Sequence, residues 1–81
     1  MNNYAYLYRI DENADAKIFG KFQTLSMAKM SADLLMIKDF CFILYGDKLY
    51  FYENGEWDYD LLTEKGKLDF LECFQNPEDY K

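Results

Sequence analysis

The chain has 81 residues, enough for one small domain, and its hydrophobic fraction of 51% suits a globular core and excludes a disordered chain. A net charge of −6 argues against unaided binding to nucleic acid or to an anionic membrane, because both need a cationic surface. The chain has no histidine, which excludes Ser-His-Asp and Cys-His catalysis and leaves the two cysteines unable to complete a zinc site.

The first predicted elements form a hairpin. Residues 4–10 alternate as a strand, one face of which carries three tyrosines: Tyr4, Tyr6 and Tyr8. A polar turn follows, and residues 17–22 are predicted to return as a second strand. Strict alternation would place Ile18, Gly20 and Phe22 together on one face of that strand.

Residues 25–38 give the clearest helical pattern in the chain. Thr24 or Ser26 has the short side-chain oxygen that caps a helix N-terminus. Apolar residues recur along one face: Met27, Met30, Leu34 and Ile37, with Ala28 and Leu35 beside them. This stripe is predicted to pack on the sheet, although a methionine-lined helix is also suited to be an adaptable binding face.

The middle of the chain predicts a three-stranded meander. Residues 40–45 are apolar without alternation, as in a central strand that is covered on both faces. Residues 48–53 return after a Gly-Asp turn, and Asn54-Gly55 is a strong hairpin signal because a type I′ turn needs positive φ at both central positions. Residues 56–61 then alternate, with acids on one face and apolar residues on the other.

The segment from Leu62 to Phe74 is ambiguous. Glu64-Lys65-Gly66-Lys67 favours a hairpin turn that leads into a further strand. Thr63 is also suited to cap a helix, but Gly66 inside that helix would cost about 1 kcal/mol. We therefore predict the hairpin, followed by a polar, flexible tail over residues 75–81.

These elements define the fold class as α+β: a single domain over residues 1–81, with an antiparallel sheet of four to six strands and one main helix packed on one face, in a ββαβββ-like order. One helix covers one face only. The tyrosine stripe is therefore predicted to be an uncovered face and a possible oligomer face: Tyr4, Tyr6 and Tyr8.

The chain ends and the cysteines predict a cytoplasmic protein. Met1-Asn2-Asn3-Tyr4 has neither the basic region nor the apolar run of a signal peptide, and no apolar stretch approaches the roughly 20 residues that span a bilayer. In a reducing compartment, Cys41 and Cys73 are expected to be unpaired core residues. We predict no enzymatic activity, no metal site and no cofactor.

The negative charge lies in the last part of the sequence. Residues 1–48 hold six acids and six bases, whereas residues 49–81 hold nine acids and three bases. The interval from Glu53 to Asp60 has four acids, no base and two aromatic residues. The predicted partner-binding set is this interval with the tyrosines before it: Tyr50, Tyr52, Glu53, Glu56, Trp57, Asp58, Tyr59 and Asp60. A solvated edge that keeps the protein soluble, or a divalent cation site, would also account for these acids.

Residues 4–60 follow a strand-strand-helix-strand-strand plan with two tight hairpins. The hairpins are Tyr45-Gly46-Asp47-Lys48 and Tyr52-Glu53-Asn54-Gly55-Glu56-Trp57. The chain resembles the small acidic inhibitors that phages and mobile elements encode, including anti-CRISPR and other anti-defence proteins and DNA mimics. The resemblance implies a protein that blocks a host protein by occupying its surface. No individual residue role is transferred.

The sequence therefore favours a non-enzymatic binding protein that presses an acidic, aromatic sheet edge onto a basic surface of a partner, such as a nucleic-acid-handling or host-defence protein, and the resemblance implies that this binding inhibits the partner. Direct contact with nucleic acid or a membrane is not expected, and a homodimer is possible. The alternatives are a homo-oligomeric protein that binds a small molecule or nucleotide signal in a tyrosine-lined pocket, and a structural oligomerisation module.

Overall fold

A five-stranded antiparallel sheet lies between two helices in the computed structural model, which describes residues 3–80. The elements follow in chain order: β1 Ala5–Ile10, β2 Ala16–Phe22, α1 Leu25–Leu34, β3 Cys41–Tyr45, β4 Lys48–Glu53, β5 Glu56–Leu61 and α2 Glu64–Cys73. Short 3₁₀ turns occupy Lys38–Phe40 and Pro77–Asp79. The strand order β2-β1-β3-β4-β5 places β2 and β5 at the edges. The predicted α+β class is confirmed.

The first face of the sheet packs against α1. Leu7 and Ile43 from the central strands are fully buried against Ala28 and Ala32 of the helix. Thr24 caps α1, because its Oγ accepts a hydrogen bond from the Met27 amide at 3.2 Å. The prediction of a helix beginning near residue 25 on one face of the sheet is therefore confirmed.

The second face, predicted to be bare, is covered by α2. Tyr8 is fully buried there, and its ring lies 5.0 Å from the Phe42 ring and 5.3 Å from the Phe70 ring, centroid to centroid. Tyr4 and Tyr6 of the same stripe are half-buried. The prediction of an uncovered tyrosine face is wrong, because a second helix supplies the cover that a single helix could not.

Residues 64–73 form that second helix, so the predicted hairpin and further strand are wrong. The Thr63 Oγ accepts a hydrogen bond from the Gly66 amide at 3.0 Å, which caps the helix at its first turn. A Cβ on Gly66 would lie only 3.2 Å from that same Oγ. The absence of a Cβ at residue 66 therefore leaves space for the capping Oγ of Thr63. The loss of helix stability that a glycine causes applies here to the first turn of the helix and not to its centre.

The C-terminal segment, for which the sequence suggested a flexible tail, lies against the sheet over residues 75–80. The Tyr8 hydroxyl donates to the Gln75 carbonyl at 2.6 Å, and the Ile18 amide on edge strand β2 donates to the Gln75 Oε1 at 2.9 Å. Tyr80 packs into the same apolar cluster as Phe70. Lys81, like Met1 and Asn2, lies outside the described residues.

A bulge changes the predicted faces of β2. Leu7 pairs with Gly20 and Tyr8 pairs with Ile18, so Phe19 is the extra residue. Ile18 therefore packs with the α2 cluster and Phe22 with the α1 cluster. The prediction that Ile18 and Phe22 share a face is wrong, because a bulge shifts a two-residue alternation by one position.

The apolar stripe predicted for α1 points mostly outward. The helix ends at Leu34, four residues before the predicted end, and buries small residues at Ala28 and Ala32. Its larger apolar side chains are exposed: Met27, Met30, Leu34 and Leu35. Ile37 alone of the predicted stripe's large side chains packs on the core. The packing prediction is therefore wrong for most of the stripe, because alanines allow α1 to lie close to the sheet and leave the longer side chains on its outer side.

Candidate functional site

The predicted binding residues lie on the two last strands of the sheet, β4 and β5. In this hairpin Tyr50 pairs with Tyr59 and Tyr52 pairs with Trp57, while Glu53 pairs with Glu56. Paired residues share a face, and successive residues of a strand alternate between faces. The sheet therefore divides the eight predicted residues into two groups of four.

The acidic group occupies the face of β4–β5 that continues the α2 side of the sheet. It consists of four exposed carboxylates, which we name the acidic ladder: Glu53, Glu56, Asp58 and Asp60. Three of them follow one another along edge strand β5 at every second position, about 6.6–7 Å apart. Phe51, half-buried, lies on the same face opposite Asp58.

No lysine or arginine between residues 3 and 80 forms a salt bridge with the acidic ladder. Between residues 3 and 80, the one salt bridge joins Lys38 to Asp33 at 2.8 Å, away from the ladder. That hydrogen-bonded contact with Asp33 raises the pKa of Lys38. Asp58 accepts a hydrogen bond from the Tyr59 amide at 2.8 Å, which orients this carboxylate and leaves its charge intact. The ladder is thus a run of uncompensated negative charge at the edge of the sheet.

The aromatic group occupies the opposite face, on the α1 side. The Tyr50 and Tyr59 rings lie 5.3 Å apart and the Tyr52 and Trp57 rings 5.4 Å apart, between centroids. Both distances are within the range of favourable aromatic pairs, which strengthens the cross-strand pairing of β4 and β5. Tyr59 is 47% exposed and the other three rings are half-buried.

Lysines lie over these aromatic rings, a feature that the sequence analysis missed. The Nζ of Lys29 lies 5.1 Å from the centroid of Tyr50, that of Lys38 lies 4.5 Å from Tyr52, and that of Lys48 lies 5.1 Å from Tyr59. These are cation–π distances. The lysines come from α1, a 3₁₀ turn and β4, so no spacing in the sequence signals that they meet.

The two faces of the β4–β5 hairpin therefore differ in charge. One face has four carboxylates and no base among the described residues, and the other has four rings beside three ammonium groups. The predicted mixed surface of acids and rings is separated by the sheet. A partner that approaches one face meets the acidic ladder, and a partner that approaches the other meets rings and lysines.

The tyrosines of β1 contribute to a separate cleft. Tyr4 and Tyr6 line an opening of about 430 Å³ between the sheet, α2 and the C-terminal segment. Lys67 and Asn76 add an ammonium group and an amide to its wall. Tyr8, the third predicted oligomer residue, is buried beneath α2 and takes no part in any surface.

The two cysteines differ in environment. Cys41 is buried in the α1 cluster as predicted, and burial, with a smaller contribution from Asp39, raises the pKa of its thiol to about 11. Cys73 is exposed, so its predicted core position is wrong. In α2 the sheet-facing positions are those of Phe70 and Leu71, which leaves Cys73 on the solvent side.

No group of three or more Cys, Asp or Glu side chains within residues 3–80 is arranged to hold a metal ion. Over the same residues, no helix has the length and apolar character needed to cross a membrane. Comparison with known proteins gives no match to a family model, to a curated protein or to a solved structure.

Proposed function

We propose that the protein is a non-enzymatic binding protein whose acidic ladder occupies a basic surface of a partner protein. The observation that supports this proposal is the run of four carboxylates on one face of the β4–β5 edge, exposed and without a paired base. Like charges held side by side repel one another, so an arrangement of this kind gains most from a cationic partner.

The spacing of the ladder favours a partner that handles nucleic acid. Carboxylates at alternate positions of a strand are about 6.6–7 Å apart, close to the distance between successive phosphates along one DNA strand. Lysines and arginines arranged to contact phosphates can therefore contact Glu56, Asp58 and Asp60 in turn. We propose a nucleic-acid-binding or host-defence protein as the partner, inhibited because its cationic groove is filled.

Phe51 adds an apolar contact to this surface. Its half-buried ring lies on the acidic face of the sheet, where Leu49 and Glu53 are its neighbours on the same face of β4. Long-range charge attraction accelerates association, whereas apolar contact slows dissociation. We therefore assign the acidic ladder to the capture of the partner and Phe51 to the retention of the complex.

The test is a pull-down in which the wild type and two charge-reversal variants serve in turn as bait. The two variants carry the same net charge. Asp58→Lys/Asp60→Lys reverses the ladder, and Asp69→Lys/Glu72→Lys reverses two exposed acids on α2. Both change the net charge from −6 to −2. We expect the wild type and the α2 variant to capture the same basic proteins at about 50 mM salt and to release them at about 500 mM.

The ladder variant is expected to capture none of those proteins, and added double-stranded DNA should displace them from the wild type. Equal capture by the ladder variant would show that the acidic ladder is not the interface. Loss of capture by both variants would attribute binding to net charge alone, which also contradicts the proposal.

A second candidate function is the binding of a small molecule in the cleft beside Tyr4 and Tyr6. Its volume of about 430 Å³ falls within the range of ligand sites, and it combines aromatic walls with the ammonium group of Lys67. Glu78 also lines the cleft, so its carboxylate offsets the charge of Lys67, and the groups together suit a planar ligand that has both donors and acceptors, such as a nucleoside or a nucleotide. A thermal-shift screen with nucleotides tests it, since a bound ligand raises the unfolding temperature and Lys67→Ala should abolish that rise.

A further inference from the structure

The outer side of α1 exposes large apolar side chains. We name the following five residues the methionine patch: Met27, Met30, Leu34, Leu35 and Met36. Each exposes about half of its surface or more, and Leu34 and Met36 expose 78% and 85%. Together they present on the order of 500 Å² of apolar surface, close to the largest patches that monomeric proteins leave exposed, and four of the five line one groove.

The conformation of Met36 sets this patch apart from scattered surface residues. Met36 follows the helix with a φ of +59°, in the left-handed region where glycine is the usual residue. The Met36 and Ile37 amides donate to the carbonyls of Asp33 and Ala32, which closes the end of α1. The left-handed conformation belongs to the C-terminal cap of α1, where glycine is the usual residue. The end of the helix does not require methionine there, yet the chain places a large, exposed apolar side chain at this position.

An open apolar groove lies on the outer side of α1, next to Met36, because Leu34 and Leu35, which directly precede Met36, line it. This shallow groove of about 360 Å³ lies between α1 and the end of β2, and its lining is mostly apolar: Phe22, Met27, Met30, Leu34 and Leu35, with Ser31 among them. A projecting methionine and an apolar groove therefore occur on one continuous surface. A surface with both features can pair with itself across a two-fold axis, each copy giving a side chain and receiving one.

The distribution of charge favours a second copy of the chain as the occupant. None of the five residues of the methionine patch is charged, and Asp33 beside the patch is paired with Lys38. The excess of negative charge lies in residues 49–81. Two copies can therefore meet through this neutral region without the repulsion that their acidic parts would cause, whereas a strongly charged partner gains nothing there.

The area also fits a dimer. A standard interface buries about 800 Å² on each partner, with an apolar core and a polar rim. The methionine patch supplies the core, and the exposed polar residues of α1 next to it, Ser26 and Asp33, supply rim contacts. We propose that the protein forms a symmetric dimer through the methionine patch, with Met36 of each copy inserted in the apolar groove of the other. This proposal does not depend on the function of the acidic ladder.

Sedimentation velocity of the full chain from about 1 to about 200 µM tests the dimer. We expect the wild type to shift from monomer to dimer mass over this range. Leu34→Asp, at an exposed position that the fold does not need, should weaken the dimer by about 100-fold, because it places a charge in the apolar contact. Leu68→Asp is the matched control, since Leu68 is 63% exposed on α2, and it should dimerise as the wild type does.

Met36→Gly separates a role in folding from a role in the dimer. Glycine removes the left-handed strain, so the unfolding temperature measured at low concentration should rise, while the dimer weakens by about 10-fold. Ala14→Gly, at a φ of +65° outside the patch, should change the dimer constant by less than about 2-fold. A wild type that stays monomeric at about 200 µM, or a Leu34→Asp variant that dimerises as well as the wild type, would overturn the proposal.

Discussion

Replacing Tyr8 with phenylalanine tests how the C-terminal segment is held on the sheet. Tyr8 is fully buried, and its hydroxyl donates a hydrogen bond of 2.6 Å to the carbonyl oxygen of Gln75, 67 residues further along the chain. The ring itself packs on Phe42 and Phe70, and phenylalanine keeps those contacts. The substitution therefore removes one long-range hydrogen bond and little else.

The expected loss follows from the geometry. A partly buried carbonyl left without its donor costs about 1–2 kcal/mol. In a domain of this size, each 1 kcal/mol changes the unfolding temperature by about 4–8 °C, so we expect Tyr8→Phe to unfold roughly 5–15 °C below the wild type. Tyr6→Phe is the control, because Tyr6 is half-buried on the same face of the same strand and its hydroxyl forms no hydrogen bond within residues 3–80. We expect this variant to unfold within about 2 °C of the wild type.

Thermal unfolding followed by circular dichroism measures both variants, and hydrogen exchange locates the change. In Tyr8→Phe, the amides of residues 76–80 should exchange faster while those of β1 and β3 remain protected. Equal unfolding temperatures for the two variants, with unchanged exchange near Gln75, would refute the account of a C-terminal segment held by Tyr8.

Three further predictions concern α2, pH and the thiols. Phe70→Ala should destabilise the protein by about 3–5 kcal/mol in urea unfolding, whereas Leu68→Ala on the exposed side of α2 should change it by less than about 0.5 kcal/mol; similar losses would contradict the packing of α2. Burial raises the pKa values of both the Cys41 thiol and the Tyr8 hydroxyl, so stability is full below their unfolded values of 9.0 and 10.0 and should fall as the pH rises above about 9; a flat urea midpoint from pH 8 to 11 would contradict this. At pH 8 a disulfide reagent should modify Cys73 within seconds to minutes and Cys41 only on unfolding; simultaneous reaction of both thiols would show that Cys41 is accessible.

Local signals in the sequence predict the sheet and its hairpins well. Asn54-Gly55 forms the turn between β4 and β5 with positive φ at both residues, and Gly46 has the positive φ that the preceding turn needs. The alternation in residues 56–61 places Trp57 and Asp58 on opposite faces, as the pairing confirms. These features depend on neighbouring residues alone, so a single sequence contains them.

Features that depend on distant contacts were not predictable. The helix over Glu64–Cys73 competes with a hairpin of similar local preference, and the choice depends on how Phe70 packs against Tyr8, 62 positions earlier. The outward direction of Met27 and Met30 likewise depends on how closely Ala28 approaches the sheet. Helical periodicity identifies an apolar stripe, but it does not say which side of the helix the sheet covers.

The candidate site likewise has features that local sequence predicts and features that depend on distant contacts. The four carboxylates and four rings were predictable as one interval of sequence, and their separation by the sheet follows from alternation along β4 and β5. The lysines over the rings, Lys29 and Lys38 among them, come from other elements and appear only once the chain is folded. A face of rings and lysines opposite an acidic face is therefore a property of the fold.

Site-specific photo-cross-linking tests the acidic ladder most directly. A photoreactive phenylalanine derivative replaces Asp60 on the ladder or, as the control, Asp69 on the exposed side of α2. With the basic protein captured in the pull-down, we predict a covalent adduct from position 60 and none from position 69. An adduct from position 69 alone, or equal adducts from both positions, would contradict the assignment of the partner surface to the β4–β5 edge.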